Sequence, residues 1–319
     1  MNLTRITQSA VVATTLLSGV ACAQVTLNNS MLEGSLISLT PQADGSVIAR
    51  VMGTQVRVTE ATRIHTPTAT LTLAQLCDAR RFPGRTQPGF IGGTAIVGGT
   101  TVTRTLVEAT DFFVEPAENV LIGTVSASAR GCLFVNGTPV ATLSDDRIPA
   151  HPMRNEFGLE VDKTRVPLDT PVSAEGFYDG RLFRSFICDV TGPVPLKDEV
   201  NPQIGVSRAR ATEITPNDRK GDRVDLLGGV TMFHLPPEVT SQPVDIYRVD
   251  NGVATFLVRA EAVRDLVQTH IGAFTVRIET DPTTDPVLGA APSMLKLVLP
   301  ANGTTLPQNV EQLALPDVR

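Results

Sequence analysis

Residues 53–64 read GTQVRVTEATRI, and residues 137–148 read GTPVATLSDDRI. Five of the twelve positions are identical, and both stretches close on Arg-Ile, 84 residues apart. In each, Gly-Thr opens as a turn and a short apolar-polar alternation follows, the period of a half-buried strand. A turn and strand repeated in this way mark one structural unit used twice.

The two copies extend outward in the same order. Around the first, Gly34–Leu39 and Ser46–Val51 read as strands joined by the hairpin signal Asp44-Gly45, and Gln55–Thr59 is the third strand. Around the second, Gly123–Ala127, Gly131–Val135 and Val140–Leu143 give the same three, with Asn136-Gly137 as the stronger turn. Each copy then leaves the meander. In the first, Leu73, Leu76 and Cys77 fall at helical spacing within Leu71–Arg81, ahead of Pro83-Gly84, and Gly89–Val97 and Val102–Val114 follow as strands. Gly92-Gly93 and Gly98-Gly99 read as turn glycines. In the second, an irregular segment with several prolines leads to Val172–Gly176 and Arg181–Val190. A meander, a helix or loop, then two strands is the order of a five-stranded Greek-key barrel of the OB type. Closure removes the edges that an open half-sheet would leave. The sequence therefore predicts an all-β protein that begins with two tandem OB-like five-stranded barrels, over residues 32–119 and 120–192.

Three prolines stand among the ten residues from Pro193 to Pro202, which predicts a stiff, exposed linker over residues 193–204. Beyond it the repeat is absent. Gly205–Ile214, Arg223–Phe233, Val244–Val249, Val253–Ala260, Gly272–Ile278 and the alternating Leu295, Leu297 and Leu299 read as strands, with Asp250-Asn251-Gly252 as a hairpin turn. This predicts a β-sandwich over residues 205–300. Val263, Leu266 and Val267 share a helical face within Glu261–His270, so a short helix is expected there. The polar residues 301–319 are expected to form a flexible tail.

The pattern Gly-x-[Val/Leu], turn-Gly, Gly-Thr-x-Val, Arg-Ile and Val-x-x-Glu-Gly-Phe-x-x-Gly (Val172 to Gly180) resembles small repeated OB-like domains of exported bacterial proteins. The likeness spans residues 32–190 and implies fold and compartment. It brings no catalytic residue. Ile96-Val-Gly-Gly99 of the first copy lacks the Glu and the Phe of the later motif. Gly272-Ala-Phe-Thr-Val-Arg-Ile278 is similar to the late strand of immunoglobulin-like domains, with Phe274 where a hydroxyl-bearing Tyr is usual.

The first 23 residues read as a signal peptide: Arg5, an apolar run from Ala10 to Val20, and the small-x-small site Ala21-Cys22-Ala23. A second reading makes Cys22 the acylated residue of a lipoprotein. No other stretch is long and apolar enough for a membrane helix, so a periplasmic or extracellular protein is expected. Cys77, Cys132 and Cys188 have no metal-type spacing. In the predicted second barrel Cys132 starts strand two and Cys188 ends strand five, which makes a Cys132–Cys188 disulfide the expected pairing; otherwise both are small core residues.

A sequence pI near 5.3, no Trp and two Tyr argue against a basic groove with aromatic platforms, the equipment for single-stranded nucleic acid. The densest basic cluster, Arg80, Arg81 and Arg85, reads as a solvated helix end. His65, His151, His234 and His270 are scattered, and Asp145-Asp146 and Thr280–Pro286 read as turn-forming segments rather than metal loops. No nucleophile elbow, zinc-protease motif or phosphate loop occurs, and no cofactor is implied. The expected function is a non-catalytic structural or binding protein of the bacterial envelope or exterior that recognises a protein or surface polymer. The alternative is an enzyme or accessory subunit with a site between the barrels. Convergent polar groups with perturbed pKa in that cleft would mark the enzyme. Shallow grooves and exposed strand edges would mark the binder.

Overall fold

The computed structural model describes residues 29–117, 119–129, 132–212, 223–279, 292, 294–314 and 316–318. The expected signal peptide with Cys22 and the Thr280–Pro286 loop lie outside these residues.

The first module contains β1 (Asn29–Pro41), β2 (Val47–Val51), β3 (Thr54–Val58), β4 (Arg63–His65), β5 (Thr70–Leu71), α1 (Leu73–Leu76), β6 (Thr94–Thr103) and β7 (Leu106–Glu115). Five strands pair in the order β3-β2-β1-β6-β7, and a parallel β3–β7 ladder from Gln55↔Leu106 to Arg57↔Glu108 closes them into a barrel. The second module contains β8 (Asn119–Ala129), β9 (Cys132–Val135), β10 (Thr138–Thr142), β11 (Arg154–Asn155), β12 (Pro171–Tyr178) and β13 (Phe183–Val190). Its order is β10-β9-β8-β12-β13, closed by the parallel ladder Val140↔Phe183 to Thr142↔Ser185. Both are closed five-stranded barrels with the strand order of the OB type.

The inward positions alternate, as a barrel requires. Val47, Ala49 and Val51 of β2 and Val56 and Val58 of β3 are buried in the first; Leu133, Val135 and Val140 in the second. The repeat extends to the irregularities. The first strand of each barrel shifts register just after its most buried residue, between Leu36 and Ser38 and between Val125 and Ala127. The fifth strand bulges against the fourth in both, with Thr110 the extra residue opposite Gly98-Gly99 in one and Phe186 opposite Glu175-Gly176 in the other. A Cβ on Gly99 would collide with the carbonyl oxygen of Glu108, and one on Gly176 with that of Arg184. These bulges bend the strand so that the sheet can close. Gly98-Gly99 thus sits inside a strand rather than in a turn. The expected helix over Leu71–Arg81 shrinks to one turn, α1. A reciprocal Thr72–Gln75 capping box starts it, Leu73 and Leu76 are buried, and it ends at Cys77.

The third module contains β14 (Ile204–Thr212), β15 (Arg223–Thr231), β16 (Ser241–Asp250), β17 (Val253–Arg264), β18 (Ile271–Glu279), β19 (Leu295–Leu299), β20 (Val310–Ala314) and β21 (Asp317–Val318). Their order is β20-β19-β16-β17-β18-β15-β14-β21, a nearly closed sheet. Among the described residues the two halves pair only at Val263↔Ala273 and Arg264↔Gly272, between β17 and β18. Val244, Ile246, Leu295 and Leu297 from one half and Val224, Leu226 and Phe274 from the other share one core.

Three sequence expectations change here. The helix over Glu261–His270 is the end of β17 and a turn, in which the Asp265 carboxylate accepts the backbone N–H groups of Val267 and Gln268 at 2.8 and 2.7 Å. The tail is not loose along its length, since β20 pairs with β19 and β21 lies parallel to β14, so one short segment supplies both ends of the sheet. The proline-rich linker is packed. Val194 and Leu196 are buried, Leu196 bridges Val161, and Leu159, Leu196 and Ile271 form a small core between the second and third modules. At this joint the turn at Gly158 meets β14 at Gly205 backbone to backbone, and a Cβ on either glycine would strike the main chain of the other segment.

Candidate functional site

The second Arg-Ile does not repeat the first. Arg63-Ile64 lies in β4, parallel to β7, with Ile64 in the barrel core and the Arg63 guanidinium 3.9 Å from Asp111 at the surface. After β10 the second copy needs a different path, because its short parallel strand on β13 is Arg154-Asn155 of β11. The residues between form a loop that reaches the first barrel. Leu143 and Ile148 of this loop, with Phe177 and Phe186, join the core cluster of barrel one.

Arg147 is the centre of that joint and is fully buried. Its guanidinium forks onto Asp145, Nε to Oδ1 at 2.9 Å and one terminal nitrogen to Oδ2 at 2.8 Å. The other terminal nitrogen donates to the Asp78 carbonyl of barrel one at 2.9 Å. The plane lies 4.0 Å from the Phe82 ring centre, and Phe82 meets Phe90 edge to face. A buried charge needs a partner and satisfied donors, and this fork provides both.

Outside the joint an open groove of about 510 Å³ runs between the barrels, lined by Arg80, Thr142, Ser144, Asp145, Asp146 and Pro149 among others. Its charges are matched in pairs. Arg80 bridges Asp78 at 2.6 Å and Asp146 at 2.9 Å. Hydrogen bonds from the Arg80 backbone and side chain lower the Asp78 pKa. Burial works to raise that of Asp145, but the Arg147 hydrogen bonds and charge outweigh it and hold the carboxyl below its usual range. Both acids are therefore fixed anions rather than proton-transfer groups. Among the described residues Ser144 has no hydrogen bond to a base.

The other residues singled out in the sequence are dispersed. Of the basic cluster, Arg80 is tied to acids and Arg85 donates to the carbonyls of Gly89 and Ile91, both at 3.0 Å, while Arg81 is exposed. His65 contacts Asp111 at 3.1 Å. Burial, aided by Arg154, pushes the His151 pKa down to about 4. His270 stacks on Phe233 in the third module at 4.9 Å, and His234 lies beside it in sequence. Among the described residues no group of His, Cys, Asp or Glu could hold a metal ion, and no helix is long and apolar enough to cross a membrane.

Cys77, Cys132 and Cys188 are free thiols, so the expected Cys132–Cys188 bridge is not formed. The registers give the reason. β9 runs antiparallel to β10 and β10 parallel to β13, which sets Cys132 level with Arg184. Cys188 lies four residues further on, roughly 13 Å of strand, whereas a disulfide needs Cα atoms within about 7 Å. Burial and the neighbouring Asp189 push the Cys188 thiol up to about 12.

Sequence reasoning missed Arg147, because Asp-x-Arg in a polar loop carries no signal of burial. It also missed the exposed start of β17, where Val253, Ala254, Thr255 and Phe256 are all exposed. No known family model matches the chain, and no curated protein matches it.

Proposed function

We propose that this chain is an exported, non-catalytic binding or structural protein of the bacterial envelope or exterior, which recognises a protein or surface polymer through its grooves and strand edges. The observation that carries this reading is the fate of the inter-barrel cleft. Arg80 holds Asp78 and Arg147 holds Asp145 as anions, and the Arg80–Asp146 bridge and the bond from Arg147 to the Asp78 carbonyl lock one barrel to the next. A site for proton transfer needs a group whose pKa is poised, with a nucleophile or base aimed at an open position. The groove offers neither; what it offers is a shallow, polar, rigid surface, which suits recognition. The export part rests on the leader and on the likeness of residues 32–190 to OB-like domains of exported bacterial proteins.

Two experiments test it. N-terminal sequencing of protein recovered from the periplasm or medium is expected to begin at Gln24; retention of the leader in a cytosolic fraction overturns export. Immobilised chain is then exposed to envelope and culture-supernatant extract. Specific retention of a protein or polymer, abolished by charge reversal at Arg80 and Asp146, supports the groove as a recognition surface. Turnover in activity screens that disappears with Ser144→Ala overturns the non-catalytic reading.

A further inference from the structure

The third module carries a pocket of about 340 Å³ between the segment after β15 and the end of β17 with its following turn. Met232, Phe233, Leu235 and Pro237 line it from the first, and Arg264, Thr269 and His270 from the second. Backbone hydrogen bonds fix the two segments. The Met232 N–H donates to the His270 carbonyl at 2.7 Å, and the Arg264 N–H to the Thr240 carbonyl at 2.8 Å. Phe233 and His270 stack at 4.9 Å with their rings 16° apart, although Phe233 stays 39% exposed. The pocket is therefore preformed and its wall largely apolar. Its volume falls in the range of small-molecule sites, about 300–1,000 Å³.

Arg264 brings a charge to this wall, and among the described residues no acid lines it. Its guanidinium donates to three carbonyls: Nε to Val239 at 2.9 Å, one terminal nitrogen to Pro236 at 3.0 Å, and the other to Thr269. A guanidinium has five N–H groups, so two remain after these three bonds. Among the described residues no carboxylate pairs with it. The acids whose charge reaches His270 have other partners. Glu199 bridges Arg165 at 3.2 Å, and Asp265 accepts the N–H groups of Val267 and Gln268. Burial lowers the His270 pKa against the pull of those two acids, so at neutral pH its ring is an uncharged neighbour of Arg264. In the groove between the barrels Arg80 is bridged to two acids. Here carbonyls hold the cation in place and leave it without a counter-ion.

We propose that this pocket binds a carboxylate carried on an apolar body, with the carboxylate on the remaining N–H groups of Arg264 and the body against Met232, Phe233, Leu235 and Pro237. The chemistry of the wall selects that class. One cation with donors to spare matches one carboxylate. A phosphate dianion would find no second cation, and an uncharged polar ligand would leave both the guanidinium and the apolar wall unmatched. The turn between Arg264 and Thr269 also holds Leu266 and Val267 out in solvent, so apolar surface continues beyond the pocket. A free aromatic acid and the C-terminus of a peptide that ends in an apolar residue share this chemistry. The site lies in a different module from the groove between the barrels and does not depend on it.

Isothermal titration calorimetry of the purified chain tests this with two acids and their amides: 3-phenylpropanoate and 3-phenylpropanamide, and acetyl-alanyl-phenylalanine with a free and with an amidated C-terminus. Each acid should bind about tenfold or more tighter than its amide, because the amide forfeits the charge-assisted bonds to the guanidinium. Arg264→Gln should erase that difference. Phe233→Ala, a change at an exposed ring, should weaken both acids by about threefold or more. If Arg264→Gln does not fold, the acid–amide ratio of the unsubstituted chain and the Phe233→Ala result decide the matter. A peptide acid that binds about tenfold tighter than 3-phenylpropanoate supports the site and makes a chain end its ligand; a smaller difference supports it and makes a free acid the ligand. Acids and amides that bind alike, acid binding that both variants leave intact, or no binding of either acid at millimolar concentration overturns the proposal.

Discussion

The two barrels are alike in every ladder and unlike in the segment that leaves the ladder. β1, β2, β3, β6 and β7 have counterparts in β8, β9, β10, β12 and β13, down to a register shift in the first strand and a bulge in the fifth opposite a glycine of the fourth. Between the third and fourth strands the copies diverge. The first keeps Arg63-Ile64 on its own sheet, whereas the second sends Arg147-Ile148 into its neighbour. Barrel closure constrains the five strands and their bulges, because each strand must match two partners. The connecting segment matches only what it packs on, and in the second copy that is another barrel. A repeated dipeptide therefore has two unrelated jobs, one at an exposed sheet margin and one at a buried joint.

The largest effect expected from this difference separates the two arginines. Arg147→Ala leaves the Asp145 carboxylate, 8% exposed, without its counter-ion and should cost about 3–5 kcal/mol in urea unfolding. Arg63→Ala removes a contact between half-exposed groups and should cost less than about 1 kcal/mol. Equal losses would show that the joint contributes no more than a surface pair. Arg147→Met with Asp145→Asn should recover part of the loss, since an uncharged pair avoids a stranded ion.

The next test addresses the likeness. Gly99→Ala and Gly176→Ala each force a methyl group against a carbonyl across the bulge, so each should destabilise by about 1–3 kcal/mol. A large loss from one and none from the other would mean that only one barrel depends on its bulge for closure.

A smaller effect is expected with pH, and in the second barrel it rests on His151 and Asp189. His151 takes up a proton near pH 6.5 when unfolded but only at about 4 when folded, so its contribution to stability is lost as pH falls through that window. Asp189 acts in the opposite sense. It stands at the exposed surface, yet the atoms crowded round its carboxyl desolvate it and push its pKa up to about 6, against 3.8 for the ordinary group. Between about pH 4 and 6 the folded form therefore binds more protons at Asp189, and that contribution declines as pH rises. Together the two should give a shallow profile. His151→Asn should lessen the loss of stability on acidification from pH 6 to 4, to which His234 and His270 also contribute, and NMR of the His151 ring should show no protonation above about pH 5.

The smallest effect swaps one copy's turn residue for the other's. Met52 and Asn136 occupy the same turn with φ of 51° and 48°, a left-handed conformation that Asn tolerates better. Asn136 Oδ1 also accepts the Thr124 N–H at 3.1 Å, and Met52 has no such acceptor. Met52→Asn should raise stability by about 0.5–1 kcal/mol.

Much of the fold was legible because its signals are local. Asp44-Gly45, Asn136-Gly137 and Asp250-Asn251-Gly252 do make the tight turns their chemistry demands, and the alternating strands between them fall where expected. The failures share a cause in long-range packing. Val263, Leu266 and Val267 have helical spacing, yet all three are exposed, with Leu266 at 95%, so their periodicity reports no buried face. β20 and β21 are too short to be read alone and form because distant strands offer edges. The prolines after Gly192 were read as exposed, but Val194 and Leu196 alternate inward between them. The candidate groove was less legible than the fold. Arg80, Asp145 and Asp146 were visible as charges, while their pairing depends on how one barrel sits against the other.

The contact of Gly158 with Gly205 has a mechanical consequence. Joints made of side chains yield under load, because rotamers shift and the surfaces slide. Here two main chains touch where any β-carbon would intrude, and the Gln268 amide donates to the Glu156 carboxylate at 2.8 Å close by. Peptide planes have no rotamers with which to relax. A pull on the β16–β17 hairpin should therefore pass into the second barrel as torque, with little lost to play at the joint.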